Sequence, residues 1–491
     1  MIIIVYTYPA FINAGGVDKI IINKANYLAD KFGYKVYLIT DFQNGLGPFF
    51  PISGNVKHID LGLNFYQQYQ YFSLINKSMT TNSLKIIYIF RHFADIGGMQ
   101  RVLIDKMNYL AENGFLVTVI TCEQGEHPFA FDLSSLVKHI DTNHRFFTLY
   151  KYQGIRRLYE GLIMELQFTK KLQSLSDEIN PDFIITSVEP LITRAISKLR
   201  TPAKWIVESH VPMRFTLFES DFYQTIQTNF VLRLYERIIF KPLRKCDLLV
   251  TLTHDDAADW EKWNKNTYVI PNPVTLYPEE IKEPSDNNRI IFVGRLNQQK
   301  GIDYLIDAFN LIAHECPKWK IEIFGSGDLE VTLNEKIKTF RLEDRIIINP
   351  PTNHIYDEYM DSQFYVMSSR YEGFPLVLLE ALSCGLPCVS FRCIYGPEDI
   401  IEDGINGLLV QDRNIEDLAQ KMLWMCNHPR ERAEMRICAR KTASDYKKEK
   451  IMPIWVQLFQ HMHNGSFSFQ QFSKIQQTKY KNEIDHFSIH S

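Results

Sequence analysis

The chain has 491 residues, of which 45% are hydrophobic and 23% charged, and its formal net charge is −3. This composition is typical of a globular protein with two or three domains, each with a sizeable core. The near-neutral charge and the lack of an arginine-rich or RNA-stacking motif argue against a nucleic-acid partner.

The eight cysteines include no C-x-x-C pair, and their spacing suits neither a zinc site nor a disulfide ladder. We therefore expect no metal site, and we expect small buried cysteines in a reducing cytoplasm. No apolar run reaches the roughly 20 residues that cross a bilayer. The opening MIIIVYTYP lacks a basic n-region, so it predicts a buried strand and not a signal peptide. We expect a cytoplasmic protein that can still touch the inner face of a membrane.

The first elements of the chain occur twice. Gly15-Gly16 is matched by Gly97-Gly98, and VKHID at 56–60 returns at 137–141, so a gap of one residue aligns the two copies. Each copy predicts a buried strand, a Gly-Gly loop, an amphipathic helix and a second strand. We interpret residues 1–78 as a partial duplicate of the N-terminal βαβ unit, joined to the rest by a polar tether.

The second copy opens a longer α/β series that predicts a Rossmann-like domain over residues 84–276. In it, Gly97-Gly98 stand where the N-terminus of a helix can approach a phosphate or a sugar. Met79 lies at the junction, so a chain that started there would be complete. The predicted strands of this domain are Lys85 to Ile89, Leu116 to Thr121, Asp182 to Val188, Lys204 to Glu208 and Asp247 to Leu252.

A basic amphipathic helix is predicted at about 224–241, with Arg233, Arg237 and Lys241 on one side. Such a helix can lie on an anionic bilayer. Its more frequent role is a solvated face over a packed one, and we favour that interpretation.

The segment YPEEIKEPSDNNR at 277–289 is charged, contains proline and has no apolar period, as is typical of a domain linker. After it, strands at Ile290 to Val293, Lys320 to Phe324, Arg345 to Asn349 and Gln363 to Met367 alternate with helices and predict a second Rossmann-like domain over residues 288–450. A closing helix, Pro453 to His463, and a polar tail make up residues 451–491. Gly325-Ser-Gly327 resembles a dinucleotide fingerprint without its third glycine, which is a weak signal.

The most informative stretch is SRYEGFPLVLLEALSCGLPCVSF at 369–391. Pro375 suits the first helical position and Gly385 a helix stop, so a helix of about three turns is predicted to begin just after Glu372. Its free N–H groups, from Phe374 onwards, would attract phosphate or sugar oxygens. Glu380 lies further along this apolar helix, where a carboxylate either clasps two adjacent hydroxyls or has a structural role, in which it extends to a rim or pairs with a core arginine. This stretch alone leaves both roles open.

Three motifs together resemble glycosyltransferase family 4: YVIPNPV at 268–274, GRLNQQKG at 294–301 and EGFPLVLLE at 372–380. The resemblance covers about residues 84–460. It implies the α/β GT-B fold, in which two Rossmann-like domains face each other across a cleft. It also implies transfer from a nucleotide sugar with retention of the anomeric configuration.

The resemblance implies a role for each candidate residue. Arg295 and Lys300 would balance the diphosphate charge without a metal, and Glu380 would hold the ribose hydroxyls. Glu372 would lie near the hydroxyls of the transferred sugar, and the amides after it would bind sugar and phosphate; those predicted binding residues are Gly373, Phe374 and Leu376. Across the cleft, Gly97 and Gly98 would approach the diphosphate or the acceptor, and His210 the donor sugar. No resident cofactor is implied.

We therefore expect a hexose or N-acetylhexosamine to pass from a UDP-sugar to a saccharide, with a lipid-linked precursor of a surface polysaccharide as one such acceptor. Pro375 stands where many family members carry glycine and removes one N–H, so the donor sugar stays open. One alternative is an epimerase or hydrolase of sugar nucleotides on the same fold. Another is a degenerate fusion protein without activity.

Overall fold

The computed structural model describes residues 3–8, 16–32, 35–40, 52–53, 55–60, 83–95, 97–216, 236–237, 239–282 and 287–465. The chain divides into two compact units, Met1–Ser83 and Leu84–Ser491. The predicted basic helix at about 224–241 lies largely outside the described residues, as do Gly15, most of the tether after Asp60 and the polar tail from residue 466.

The described residues of the first unit form three parallel strands in the order β1-β2-β3 and one helix. Its core is small and is built from residues of the helix and strands such as Ile22, Ala25 and Leu38. The elements are β1 (Ile3–Tyr8), α1 (Gly16–Phe32), β2 (Lys35–Thr40) and β3 (Val56–Asp60). The second unit begins with the same sequence of strand, helix, strand and strand.

The second unit contains two parallel sheets. The first has seven strands in the order β10-β9-β8-β7-β4-β5-β6. Its elements up to β7 are β4 (Lys85–Phe90), α2 (Gly98–Glu112), β5 (Leu116–Thr121), β6 (Lys138–Asp141), a 3₁₀ turn (Phe146–Lys151), α3 (Gly154–Ile179) and β7 (Phe183–Ser187). The rest are α4 (Pro190–Ile196), β8 (Lys204–Glu208), α5 (Met213–Thr216), a 3₁₀ turn (Lys241–Lys245), β9 (Leu248–Thr251), α6 (His254–Trp260) and β10 (Thr267–Val269).

The second sheet has six strands in the order β13-β12-β11-β14-β15-β16. Its first elements are β11 (Arg289–Val293), α7 (Ile302–Ile312), β12 (Lys320–Phe324), α8 (Glu330–Thr339), β13 (Ile346–Asn349), α9 (Ile355–Met360) and β14 (Phe364–Met367). The remaining ones are α10 (Leu376–Ser383), β15 (Cys388–Phe391), α11 (Pro397–Ile400), β16 (Gly407–Val410), α12 (Ile415–Asn427), α13 (Pro429–Asp445) and α14 (Lys448–His463).

Both sheets are covered by helices on two faces. In β4, Ile86 and Tyr88 belong to one apolar cluster while Ile87 and Ile89 belong to another, because successive side chains of a strand point to opposite faces. Burial on both faces explains the continuous apolar runs that predicted these strands. The expected pair of Rossmann-like domains is confirmed.

Each sheet reverses its strand order at one point, between β4 and β7 in the first and between β11 and β14 in the second. Ligands of open parallel sheets bind at the carboxyl ends of the strands at such a switch point. The loops that follow β4, β11 and β14 carry Gly97, Lys300 and Glu372, and Glu380 lies on the helix that follows the last of these loops.

Two predicted helices differ from the structure. The closing helix begins at Lys448, five residues before the predicted Pro453, which lies inside it. The missing N–H of the proline is tolerated because Trp455 and Phe459 anchor the helix in the core of the first domain. The helix after Glu372 has eight residues and begins at Leu376, because Pro375 has an extended ψ of 91° and precedes the first helical residue.

The predicted stop at Gly385 is confirmed. Gly385 has a φ of +69°, its N–H bonds to the carbonyl of Leu382, and the N–H of Leu386 bonds to that of Ala381. These two bonds are the Schellman pattern that ends many helices. The linker residues that are described are docked, since Arg440 donates to the carbonyls of Pro278 and Glu279.

Candidate active site

The loop after β11 presents a lysine to the loop after β14. Lys300 ends a 3₁₀ turn, Gln298–Lys300, which is capped by the side chain of Asn297. Its ammonium group donates to Oε1 of Glu372 over 2.7 Å. Ser369 Oγ donates to the same oxygen over 2.6 Å. The buried carboxylate of Glu372 is therefore neutralised and hydrogen-bonded, which burial of a charge requires.

A second ion pair holds the same two loops together. The guanidinium group of Arg370 donates to both carboxylate oxygens of Asp303, over 2.9 and 2.6 Å, and to the carbonyl of Gln298. A bidentate pair of this kind fixes orientation as well as distance. The ion pair of Arg370 and Asp303 thus fixes the relative position of the loops that carry Lys300 and Glu372.

Glu380 lies in the second turn of α10, beside a small hydroxyl cluster. Thr275 Oγ1 donates to Glu380 Oε1 over 2.6 Å and lies 3.1 Å from the hydroxyl oxygen of Tyr356. Burial raises the pKa of Glu380, and Thr275 and the positive charge of Arg101 oppose that rise. A desolvated carboxylate with hydroxyl neighbours is suited to accept hydrogen bonds from a diol.

The N-terminus of α10 offers backbone donors next to Glu372. Within the described part of the chain, the amides of Gly373, Phe374, Leu376 and Val377 bond to no acceptor. Such amides favour an anion or sugar oxygens. The ring of Phe374 is buried in the core against Tyr446, so this residue offers its N–H and not its side chain.

The first domain contacts this helix end through two close approaches. A Cβ atom on Gly98, the first residue of α2, would lie 3.0 Å from Leu376 Cδ1. A Cβ on Gly373 would lie 2.8 Å from the carbonyl oxygen of His210. Glycine at these positions lets the loops of the two switch points meet, and the N-termini of α2 and α10 face each other there. Gly97 is the N-cap residue of α2 in extended conformation.

His210 follows β8 and rests on a buried ion pair. Its Nε2 lies 3.2 Å from Oε2 of Glu208, and Lys106 of α2 pairs with the same oxygen. Lys106 also lies over the ring of Trp455, with its Nζ 3.8 Å from the ring centroid. Among the described residues, none bonds to Nδ1 of His210. The ring is therefore held at one nitrogen, and its second nitrogen is buried without a partner among the described residues.

Arg295 differs from the other candidates because it is exposed. Its side chain makes no ion pair or hydrogen bond with the described residues. It stands on the same loop as Lys300, between Gly294 and the buried Leu296. No group of three His, Cys, Asp or Glu side chains arranged to hold a metal occurs among the residues that the structure describes.

Comparison with known proteins decides the family. A profile described as Glycosyltransferase Family 4 matches residues 96–276, and one described as Glycosyl transferases group 1 matches residues 274–442. An uncharacterized glycosyltransferase of Haemophilus influenzae is 30% identical over 375 residues, which are 76% of this chain and 98% of that protein. This chain is a family 4 glycosyltransferase.

Two further similarities agree with this assignment. The amylovoran biosynthesis glycosyltransferase AmsD of Erwinia amylovora is 26% identical over 382 residues, which cover 76% of this glycosyltransferase and 98% of AmsD. A TarM variant of S. aureus, solved in complex with Fondaparinux, alpha-GlcNAc-glycerol and UDP, is 16% identical. It superimposes with a TM-score of 0.59 over 77% of this chain and 99% of its own. The GT-B fold and the predicted enzyme class are confirmed.

In the glycosyltransferase, most of the predicted site residues come together. Lys300, Glu372 and the amides from Gly373 to Leu376 form one group, with the Gly98 loop and His210 against it. Glu380 belongs to a second group with Thr275 and Tyr356. Arg295 lies on the loop of Lys300 but contacts neither group in this structure. Their chemical roles stay predictions.

Several residues of the site were not predicted from the sequence. Thr275 follows directly after the YVIPNPV motif, and Arg101 lies one turn after Gly97-Gly98 on α2, so both stood beside segments already singled out. Lys106 and Glu208 carried no signal, since a buried pair 102 residues apart is visible only in the fold. The structure contains no helix, among its described residues, that is long and apolar enough to cross a membrane.

Proposed function

We propose that this glycosyltransferase moves a hexose or N-acetylhexosamine from a UDP-sugar to a saccharide acceptor, with retention of configuration. One observation carries the proposal. Lys300, the free amides of α10 and Glu380 converge at the carboxyl ends of β11 and β14, where the sheet reverses its order. This is the place and the chemistry that a nucleoside diphosphate requires.

The diphosphate would lie at the N-terminus of α10. It carries about two negative charges at neutral pH and gains charge as it leaves, so fixed positive groups beside it lower the barrier. Lys300 and Arg295 supply two such groups without a resident metal or cofactor. Lys300 already bonds to Glu372 and Arg295 has no protein partner among the described residues, so we assign the outer phosphate to Arg295.

The ribose would lie at Glu380, in keeping with its raised pKa and its bond to the Thr275 hydroxyl. A carboxylate that accepts from two adjacent hydroxyls is well matched to a ribose diol. The transferred sugar would then lie between Glu372 and His210, which approach the same helix end from the two domains.

The identity of the nucleotide is inferred from a relative. The TarM variant was solved with UDP bound, and AmsD is named for amylovoran biosynthesis. We extend both to this chain as a UDP-sugar donor and a growing surface polysaccharide, with a lipid-linked saccharide as its acceptor. We infer a cytoplasmic location, because all eight cysteines are free and seven are buried, as is typical of reducing compartments.

The chemical step would occur on one face of the sugar. The bond from C1 to the phosphate oxygen breaks, the acceptor oxygen bonds to C1 on the same face, and the acceptor proton passes to the departing phosphate oxygen. In this step the protein supplies position and charge. The carbonyl of His210 against Gly373 shows that the domains meet beside this helix end, where contact limits access of water to the donor.

The test is release of UDP from a panel of UDP-sugars, with and without a saccharide acceptor. We expect release with one donor and only when acceptor is present. Equal release from donor alone would indicate a hydrolase instead, and conversion of the donor to its epimer without release of UDP would indicate an epimerase. The anomeric proton coupling of the product in NMR tests retention.

A matched pair of variants tests the role of Arg295. Arg295→Ala removes an exposed side chain that has no partner among the described residues, so we expect an unchanged melting temperature and a loss of UDP release of at least about tenfold. Arg430→Ala, which removes another exposed arginine, is the control and should retain full activity. Equal activity in both variants would contradict the assignment.

A further inference from the structure

Helix α3 has two apolar faces, and the described residues pack against only one of them. Phe168, Leu172 and Leu175 are buried in the core of the first domain. A second set of large apolar side chains is open to solvent. We call this set the α3 stripe; its members and their exposed fractions are Ile155 (86%), Leu158 (69%), Tyr159 (62%), Leu162 (61%) and Leu166 (55%).

The spacing of the α3 stripe places its members on one side of the helix. Counted from Ile155 they follow at three, four, seven and eleven residues, which is one face of a helix with 3.6 residues per turn. An amphipathic surface helix normally buries such a face. Here the buried face is a different one, so the stripe has no covering element within the described structure.

The 3₁₀ turn before the helix widens this surface. Leu149 packs against α3 at Gly161, whose Cβ position lies 3.6 Å from Leu149 Cδ1. On the same turn, Phe147 is 53% and Tyr150 is 68% exposed. Seven large apolar side chains within 20 residues thus face solvent, and such patches mark surfaces that bind a partner.

The charges around the stripe are mostly positive. Within residues 151–171 the acidic side chains are Glu160, which lies 3.9 Å from Arg156, and Glu165, which is buried between Arg194 and Lys198. The basic side chains of the same segment are all exposed; they are Lys151, Arg156, Arg157, Lys170 and Lys171. At 100° per residue, Arg156 and Lys170 flank the stripe, whereas Arg157 and Lys171 lie on the far side of the helix. A partner for this surface must accept both apolar side chains and a positive rim.

We propose that the α3 stripe docks this glycosyltransferase on an anionic lipid bilayer. The apolar side chains would enter the boundary between head groups and acyl chains, with the tyrosines at head-group level, and the basic side chains would face lipid phosphates. A second copy of the chain fits less well, because a two-fold interface sets the same patch against itself and brings the basic rims together. This inference goes beyond the proposed function and does not depend on the donor.

The test is sedimentation of the full chain with vesicles, in the absence of any nucleotide. One set contains phosphatidylcholine alone and the other contains phosphatidylcholine with phosphatidylglycerol. We expect binding to the anionic vesicles only, weakened by salt because the Debye length falls to about 3 Å at 1 M.

Two double variants separate the apolar from the ionic contribution. Leu158→Glu with Leu162→Glu should abolish vesicle binding, while Arg156→Glu with Lys170→Glu should weaken it at least fivefold per charge, since a basic residue at an anionic surface contributes about 1 kcal/mol. The control is Val331→Glu with Ile437→Glu. These two residues of the second domain are 71% and 75% exposed, so the control adds the same charges elsewhere and should bind like the parent protein.

Three outcomes would overturn the proposal. Equal binding of the stripe variant and the control would mean that the stripe is not the docking surface. Loss of a dimer in sedimentation velocity, with vesicle binding unchanged, would assign the stripe to contact between copies. A melting temperature well below that of the control would show that another part of the chain covers it. None of these readouts involves UDP, so they stay separate from a failure of the donor assignment.

Discussion

The two glutamates of the site differ in how well their surroundings stabilise the ionised carboxylate. Glu372 is satisfied by Lys300 and Ser369 even without ligand, whereas burial raises the pKa of Glu380, which works against its ionised form. Carboxylates kept in unfavourable surroundings are often functional. Because the ionised form of Glu380 is disfavoured, Glu380, and not Glu372, is expected to lower the free energy of unfolding by a measurable amount.

Glu380→Gln should stabilise the protein at neutral pH while it weakens donor binding. A raised pKa in the folded state favours the neutral acid, so its stabilising contribution is complete below the unfolded pKa of about 4.3 and is lost as the pH rises through the folded pKa. The amide cannot ionise and keeps an oxygen for the Thr275 hydroxyl. The melting temperature of the variant minus that of the parent should therefore increase between about pH 4 and pH 8. A constant difference would contradict the raised pKa.

Elements were predicted better than the contacts between them. The strand Lys320–Phe324 was predicted with its observed bounds, because strands buried on both faces give short continuous apolar runs. The start of α14 was wrong because Pro453 is a strong local stop signal, and only the packing of Trp455 and Phe459 overrides it. Thr275 reaches Glu380 across 105 residues of sequence, a pairing that no local pattern encodes.

The pair of Lys106 and Glu208 joins α2 to the end of β8, and so joins the Gly-Gly helix to the strand that precedes His210. Lys106→Met removes the positive partner and leaves a buried carboxylate, which typically costs about 3–5 kcal/mol of unfolding free energy. Chemical denaturation should show this loss. The double variant Lys106→Met with Glu208→Leu should recover most of it; if it does not, the packing of the lysine stem and not the charge is what stabilises the contact.

The close approach of Gly373 to His210 sets the distance between the two switch-point loops. Gly373→Ala places a methyl group 2.8 Å from a backbone carbonyl, so the loops must move apart. We expect a melting temperature close to that of the parent and a rise in the KM for donor of up to about a hundredfold, since small displacements of reacting groups are costly.

The control for this variant is Gly161→Ala, whose new methyl group meets only an ordinary contact at 3.6 Å and which removes a helix-destabilising glycine. It should leave the KM for donor unchanged. An unchanged KM in Gly373→Ala as well would show that the two loops do not act together on the donor.

In the whole molecule, the N-terminal unit and the glycosyltransferase domains form two different compact units. The three strands of Met1–Ser83 form a sheet of their own, with its own small core. The matching Gly-Gly and VKHID segments led us to interpret it as a partial duplicate, which stays a prediction. The family profiles begin at residue 96, within the second copy of the repeat.

Deletion of residues 1–78 should leave a folded and active enzyme. The residues that form the candidate site lie after Leu84, and the strands on which they depend belong to the two larger sheets. The melting temperature and UDP release of the shortened chain should match those of the full chain. An insoluble or inactive product would show that the first unit is required for the fold of the second.

The proposed mechanism depends on Glu380 binding the ribose of a nucleoside diphosphate held at α10. Calorimetric titration of UDP and of its 2′,3′-dideoxy analogue into the parent protein and Glu380→Ala tests it most directly. In the parent protein, loss of the two hydroxyls should weaken binding by about tenfold to a hundredfold, the value of hydrogen bonds to a charged group. In Glu380→Ala the two ligands should bind alike. An equal loss of affinity in both proteins would contradict the assignment.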